Sequence, residues 1–358
     1  MPARLPLHEI HEKQAAFFGD ESGWLLPQHY GDAAAEYRAV REATGVVDRS
    51  MLGKVTVTGR DRQAFLQGML TNDVKALAPG QGTSAAFLDA HGKVMALMNV
   101  YALDDRLLLE LPMGLTEKTL QQLDHFLISE KAYFEPADEA FALFAVQGPG
   151  ARALLSRLAG RELDLPPFHH AEVAIAGAPV RVVHRREAGA PGFHCWTIAL
   201  HAEALWAALV AAGARPVGME TLDALRIEAG VPWYGRDVDD SVIFPETRLE
   251  AWVSYNKGCY IGQEVVARVK YRGHVNRALS GLVLEGERVP APGARVSVDG
   301  KDVGRITSAA RSPALGRPIA LGYVRREHFA PGSAVTVDDD GGAISATVAA
   351  LPFVEPIP

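Results

Sequence analysis

The chain has 358 residues, 48% of them hydrophobic and 22% charged, the balance of a globular protein with room for two or three domains and a sizeable core. Its net charge of −7 excludes a globally basic nucleic-acid binder, so any such contact would need a local patch. Cys195 and Cys259 are the two cysteines, too few for a disulfide framework or for the four thiolates of an iron–sulfur cluster, and they fit a reducing compartment.

The opening MPARLPLHEIHEKQAAFFGD scatters charges and has no apolar h-region, so it does not read as a secretory signal. Residues 32–43 predict a helix stopped by Gly45 at its C-terminal cap. Lys54 to Gly59 alternates as a strand, and Asp61 opens a helix with Phe65, Leu66, Met69 and Leu70 on its apolar face. Strands around 93–103 and 106–111 meet at Asp104-Asp105, and 115–128 reads as a helix with Thr116 as N-cap. A hairpin at 172–185, a strand at 192–200 that packs Cys195, and helices at 203–212 and 219–229 follow, the last ending at Gly230. The longest apolar stretch, 204–212, is well short of the about 20 residues a bilayer span needs, so a cytoplasmic protein without a membrane segment is expected. From residue 277 six short β runs separated by Gly, Pro and Asp predict a small all-β barrel or sandwich.

The strand–turn–helix pattern recurs. FAVQGPGARALL (144–155) lies over VTVTGRDRQAFL (55–66), with Gly148 on Gly59 and Leu154-Leu155 on Phe65-Leu66, which predicts two related lobes. Gly148, Gly150 and Ala153 imitate a dinucleotide fingerprint. Pro149 removes a loop N–H and Asp61 occupies the phosphate position of the first copy, so a tight turn into a helix is the simpler reading. Adjacent His169 and His170 point apart on an extended chain, which argues against a metal site.

The stretch YNKGCYIGQEVVAR, Tyr255 to Arg268, is chemically the most distinctive. Gly258 and Gly262 bracket Cys259, which predicts a tight turn bringing backbone close to another segment. Lys257 and a following helix start would bias the thiol toward thiolate, the ordinary alternative being a small packed cysteine. Such a thiolate could hold a cluster iron transiently, attack a disulfide or persulfide, or sense oxidation. Lys257, Arg268, Lys270, Arg272 and Arg277 face the single acid Glu264 in that region, with His274 among them. This is either a solvated cationic loop or an anion-binding patch, and without aromatic alternation direct nucleic-acid binding is not expected.

The opening LHEIHEKQ, GWLLPQHYGDAAAEYRAVREATGVVDRS, FLQGMLTNDVKAL, TLDALRIEAGVPWYG, VGRITSAARSPALGRPIALGYV and the closing LPFV together resemble the folate-binding superfamily of the glycine-cleavage T-protein (GcvT, aminomethyltransferase) almost end to end. The resemblance implies an α+β fold. Two related lobes, roughly 1–140 and 141–276 and open to interleaving, would surround a folate channel, with a β-barrel domain at 277–358. Within that superfamily Lys257, Gly258, Cys259, Tyr260, Gly262, Gln263 and Glu264, followed by Arg268, resemble the K-G-C-Y-x-G-Q-E signature of the YgfZ branch. That branch implies a folate-binding auxiliary protein for iron–sulfur cluster assembly or repair, affecting cluster-dependent tRNA modification. Cys259 would be its functional thiol, and assembly factors or client enzymes its partners. The alternative is a tetrahydrofolate-dependent aminomethyl- or methyltransferase.

Tetrahydrofolate or a derivative is the implied cofactor, with no stably bound metal. The implied folate contacts are Arg226, which matches the family's L-R-L-E-A-G, together with Asn72, Asp73, Tyr101, His194 and Trp233. Each has an ordinary reading too: a cation in a helix's last turn, turn formers, packed aromatics. The chain departs from the T-protein where Ala96 and Leu97 replace its aspartates, Ser84 its aromatic, Leu52 its methionine and His194 its folate-binding glutamate. A methyl or isobutyl group cannot handle a proton at a folate nitrogen, so aminomethyl transfer is disfavoured.

Overall fold

A computed structural model describes residues 1–357. Two antiparallel-rich sheets carry the body. The first runs in the order 82–88, 94–102, 107–111, 53–58, 133–136, and the second in the order 170–175, 178–184, 192–198, 141–147, 45–48, 215–216. Strand Gly45–Asp48 pairs antiparallel with Phe141–Gln147, so the N-terminal part of the chain contributes to the second lobe and the lobes interleave. A three-stranded sheet of 3–4, 24–29 and 17–21 lies at the N-terminus. Six strands from Arg277 to Ala349 close into a barrel, the solution that leaves no exposed sheet edge.

Each lobe contains the repeated strand–glycine–helix unit, leading into helices Arg62–Met69 and Ala151–Ala159. Gly59 has φ +94° and a Cβ there would sit 2.1 Å from the Lys131 carbonyl oxygen. Gly148 has φ +125° and a Cβ would sit 2.5 Å from that of Ala43. Both positions combine left-handed backbone with close backbone approach, which only glycine tolerates.

Two local expectations are corrected. Helix Ala33–Glu42 is capped by Asp32, whose carboxylate accepts from the Ala35 N–H at 2.9 Å. Gly45 does not cap it but opens the next strand, where a side chain would run into Val40 and Val217. Thr116 lies inside helix Thr116–Asp124, after the cap residue Leu115, and its hydroxyl bonds Asp138 at 3.0 Å. No helix among the described residues is long and apolar enough to cross a membrane.

Helix Met219–Glu228 joins the body to the barrel. Ile227 packs with Leu279, Ile319, Leu321 and Tyr323 of barrel strands. Arg226 is fully buried and donates to Asp223 at 2.8 Å, to the Ser308 hydroxyl at 2.6 Å and to Asp237. Asp237 also accepts from Thr307 and Ser308 of the barrel and from the Trp233 N–H. Glu228 accepts from Tyr37 at 2.7 Å and from Ser312, tying helix Ala33–Glu42 to the barrel. Buried ions joined in this way fix how the two parts sit on each other.

Candidate functional site

Strand Leu107–Leu111 reads LLLEL and is buried throughout, yet it carries Glu110. A buried carboxylate must find partners. Asn99, on the neighbouring strand, donates to Glu110 at 2.8 Å; Ser84, one strand further, donates to Asn99 at 2.6 Å. From the second lobe His194 places Nδ1 2.9 Å from Glu110 and Nε2 3.2 Å from Glu187, and Arg49 pairs with Glu187 at 2.6 Å. Arg185 donates to Asn99 at 2.8 Å and lies 3.5 Å from Glu110. The two lobes thus meet through one charged network.

The network borders a cavity of about 420 Å³, lined among others by Ser84, Asn99, Glu110, Arg185, Glu187 and Arg49. Apolar and aromatic side chains, including Leu97, Met98 and Trp233, complete its walls, the usual composition of a small-molecule site. The Trp233 ring is held by the guanidinium groups of Arg226, Arg49 and Arg236 at 4.9, 5.0 and 5.4 Å from its centroid.

Electrostatics set the protonation of this cluster. Burial would raise the Glu187 pKa, but the Arg49 charge and the His194 hydrogen bond outweigh it and hold the carboxyl well below its usual range. Burial likewise opposes ionisation of Glu110, and His194 and Arg185 overcome it. For His194 burial works against the charged form, yet the Glu110 charge and the bonds to both carboxylates raise its pKa. Both ring nitrogens face carboxylates, and only the imidazolium can donate to two acceptors. His194 is therefore a buried cation between two buried anions.

The sequence-derived candidates divide. Trp233 lines the cavity, and His194 bridges two residues that do. Arg226 does not line it; its donors are committed to Asp223, Asp237 and Ser308, which makes it a joint of the fold with contact only to the Trp233 ring. Asn72 supports a wall from behind by donating to the carbonyls of Ser84 and Ala251, at 2.9 and 3.2 Å. Asp73 accepts from Gln67 at 2.9 Å within its turn. Tyr101 is buried against Trp196 and His170, its pKa raised well above the usual value by burial and by the Glu110 charge.

The Cys259 segment departs from expectation. Lys257 does not act on the thiol: its ammonium is buried and donates to the carbonyls of Gln67, Leu70 and Asn72 at 2.5, 2.5 and 3.1 Å. The first two are orphan acceptors at the end of helix Arg62–Met69, and the third, in the following turn, also accepts from the Val74 N–H. Close backbone approach occurs at Gly262, whose φ is +80° and whose Cβ would meet the Asp89 oxygen at 2.6 Å, and not at Gly258, where space is open. Tyr260 is buried beneath Lys257, 5.0 Å from ring to ammonium. Gln263 and Glu264 begin helix Gln263–Arg272, and Arg268 pairs with Glu264 at 2.5 Å. Cys259 is exposed and lies outside the cavity wall, whereas burial pushes the Cys195 thiol up to about 12. The cationic run is also neutralised by acids distant in sequence, Lys270 by Glu250 and Arg277 by Glu246. Replacing Lys257 by Met is expected to cost about 1–3 kcal/mol in urea unfolding, chiefly through the two helix-end carbonyls, of Gln67 and Leu70, that it leaves unmet. A loss below about 0.5 kcal/mol would assign it no capping role.

Sequence reading missed Glu110, Glu187, Arg49, Arg185 and Asn99. The available signal was a lone carboxylate inside the apolar run LLLEL. Three of the departure positions, Leu52, Ser84 and Leu97, do line the cavity, while Ala96 packs into the first lobe's core.

Residues 7–257 match the GCVT N-terminal domain, and residues 277–355 match the Glycine cleavage T-protein C-terminal barrel domain. An aminomethyltransferase of Thermus thermophilus is 35% identical over 355 residues, covering 98% of this chain and 99% of that protein. The aminomethyltransferase of Saccharopolyspora erythraea is 33% identical over 360 residues, covering 98% of each. The crystal structure of glycine cleavage system aminomethyltransferase T from Bartonella henselae superposes with a TM-score of 0.91 at 26% identity, covering 99% of both chains. Similar in sequence and fold over nearly its whole length, the chain belongs to the glycine-cleavage T-protein (GcvT) superfamily.

Proposed function

We propose that the protein is a tetrahydrofolate-dependent one-carbon transferase, acting on an aminomethyl or methyl group, with its reduced folate in the 420 Å³ cavity. The observation that carries this reading is the buried, ionised Glu110–His194–Glu187 cluster at the wall of an otherwise largely apolar cavity. The aminomethyltransferase names of the relatives favour it over the iron–sulfur reading. The residues present fit such a ligand. Trp233 offers a flat face, Glu110 and Glu187 offer acceptors for ring N–H groups, and Arg49 and Arg185 each have a buried Nε without a hydrogen-bond partner. When bound, a reduced folate would supply the nitrogen that accepts the one-carbon unit. Leu97 cannot handle a proton there, so that duty falls to a carboxylate elsewhere in the lining, where Glu21, Glu110 and Glu187 stand, the last two held ionised and therefore weakly basic.

Calorimetric titration with tetrahydrofolate and single-turnover transfer from an aminomethyl-loaded carrier protein test the reading together. Binding plus transfer, both reduced by Trp233→Ala, is the expected result. Absence of binding by the folded wild type sinks it.

The exposed thiol of Cys259 favours a second reading, the folate-binding auxiliary protein for iron–sulfur assembly, with assembly factors or client enzymes as partners. Binding without transfer, combined with failure of Cys259→Ser to restore cluster-dependent enzymes in cells lacking such a factor, would replace the transferase by this one. Full restoration by Cys259→Ser would remove the second reading.

A further inference from the structure

A second cavity, of about 270 Å³, lies where the segment after barrel strand Arg317–Arg325 meets helix Gln263–Arg272 and the turn following Phe244–Thr247. Leu249 is common to its wall and that of the larger cavity. Its charge is one-sided: Arg248, Lys270, His274 and Arg326 line it, against the single acid Glu250. Glu250 is engaged by Lys270 at 3.3 Å and by the Tyr255 hydroxyl at 3.3 Å. Among the described residues neither guanidinium group, Arg248 or Arg326, has an ion-pair or hydrogen-bond partner.

Arg248 is also held against its conformational preference. It stands at φ +59°, ψ +24° at the end of the short helix Phe244–Thr247, where glycine or asparagine is the ordinary occupant. An arginine there keeps a strained backbone while its guanidinium lies 5.0 Å over the Phe329 ring. Phe329, Phe244, Val266 and Val269 supply apolar lining in the same cavity. Two arginines without a partner of their own, lining one cavity with aromatic and aliphatic side chains, are complementary to an anion carried on a compact apolar body.

We propose that this cavity is a binding site for a small organic anion, a phosphate or carboxylate on an apolar or aromatic body, held by Arg248 and Arg326 over Phe329. Its size suits a small ligand better than a folate. The site stands independently of the activity assigned to the larger cavity.

The test is calorimetric titration of the full-length protein with phenyl phosphate, benzoate, inorganic phosphate and phenol. Either aryl anion, whichever carries the preferred head group, is expected to bind at least about tenfold more tightly than inorganic phosphate or phenol, which lack the body or the charge. Arg248→Gln and Arg326→Gln should each weaken that binding about tenfold or more. Arg248→Gly serves as the variant that cannot fail through strain, since glycine suits the backbone; it should keep or raise the unfolding temperature and still lose binding. No aryl-anion binding by wild type at millimolar concentration overturns the proposal. Affinity equal in wild type and Arg248→Gly overturns it as well, as does inorganic phosphate binding as tightly as either aryl anion.

Discussion

Arg226→Met is expected to destabilise the protein by about 3–5 kcal/mol, read as a lower urea midpoint at unchanged slope. Asp237 and Arg226 are both without solvent exposure, and Asp237 shares its oxygens with Thr307, Ser308 and the Trp233 N–H. Taking away the guanidinium leaves a buried carboxylate supported by neutral donors alone. It also strips the Ser308 contact that ties helix Met219–Glu228 to the barrel. A double change, Arg226→Met with Asp237→Leu, should cost clearly less than the two single losses added, because the second removes the orphaned charge. Additive losses, or a single loss under about 1 kcal/mol, would mean that the pair is not what holds the barrel to the body. Because Arg226 also lies on the Trp233 ring, the variant should bind tetrahydrofolate somewhat more weakly even when folded.

Glu110→Gln is expected to lower the His194 pKa and to weaken tetrahydrofolate binding about tenfold or more, measured by histidine NMR titration and calorimetry. In the wild type the His194 pKa is raised in the fold. Its stabilising contribution is thus complete below the ordinary imidazole value of about 6.5 and fades as pH climbs through the folded value. Glu110 and Glu187 are depressed in the fold, so theirs is complete above the ordinary carboxylate value of about 4.3 and is lost only as pH falls through the folded values. Cluster-derived stability should therefore be greatest between about pH 4.3 and 6.5 and decline on the alkaline side, a decline that Glu110→Gln flattens. A wild-type His194 titrating at or below about 6.5 would contradict the buried imidazolium.

Two features explain why the cavity was only partly legible beforehand. Glu110 and Glu187 come from different lobes, and each reads alone as a stray charge; His194, in contact with both, makes them one unit. Lys257 illustrates the converse. Two residues before a cysteine it suggests thiol activation, but its long stem reaches carbonyls nearly 190 positions away in the chain. Side chains of that length choose partners by spatial neighbourhood, which sequence adjacency does not report.

What the sequence by itself determined is the local and the repetitive: the strand–glycine–helix unit used twice, the six barrel runs, and family membership. These follow from alternation, from apolar periodicity and from glycines such as Gly59 and Gly148 whose backbone admits no side chain. Only the tertiary structure decided which charges are buried and how they pair, that strand Gly45–Asp48 crosses into the second lobe, and that Cys259 faces solvent outside the cavity. The reason is physical: burial and pairing of ions depend on groups brought together from far along the chain, and their energies change sign with the neighbours found there.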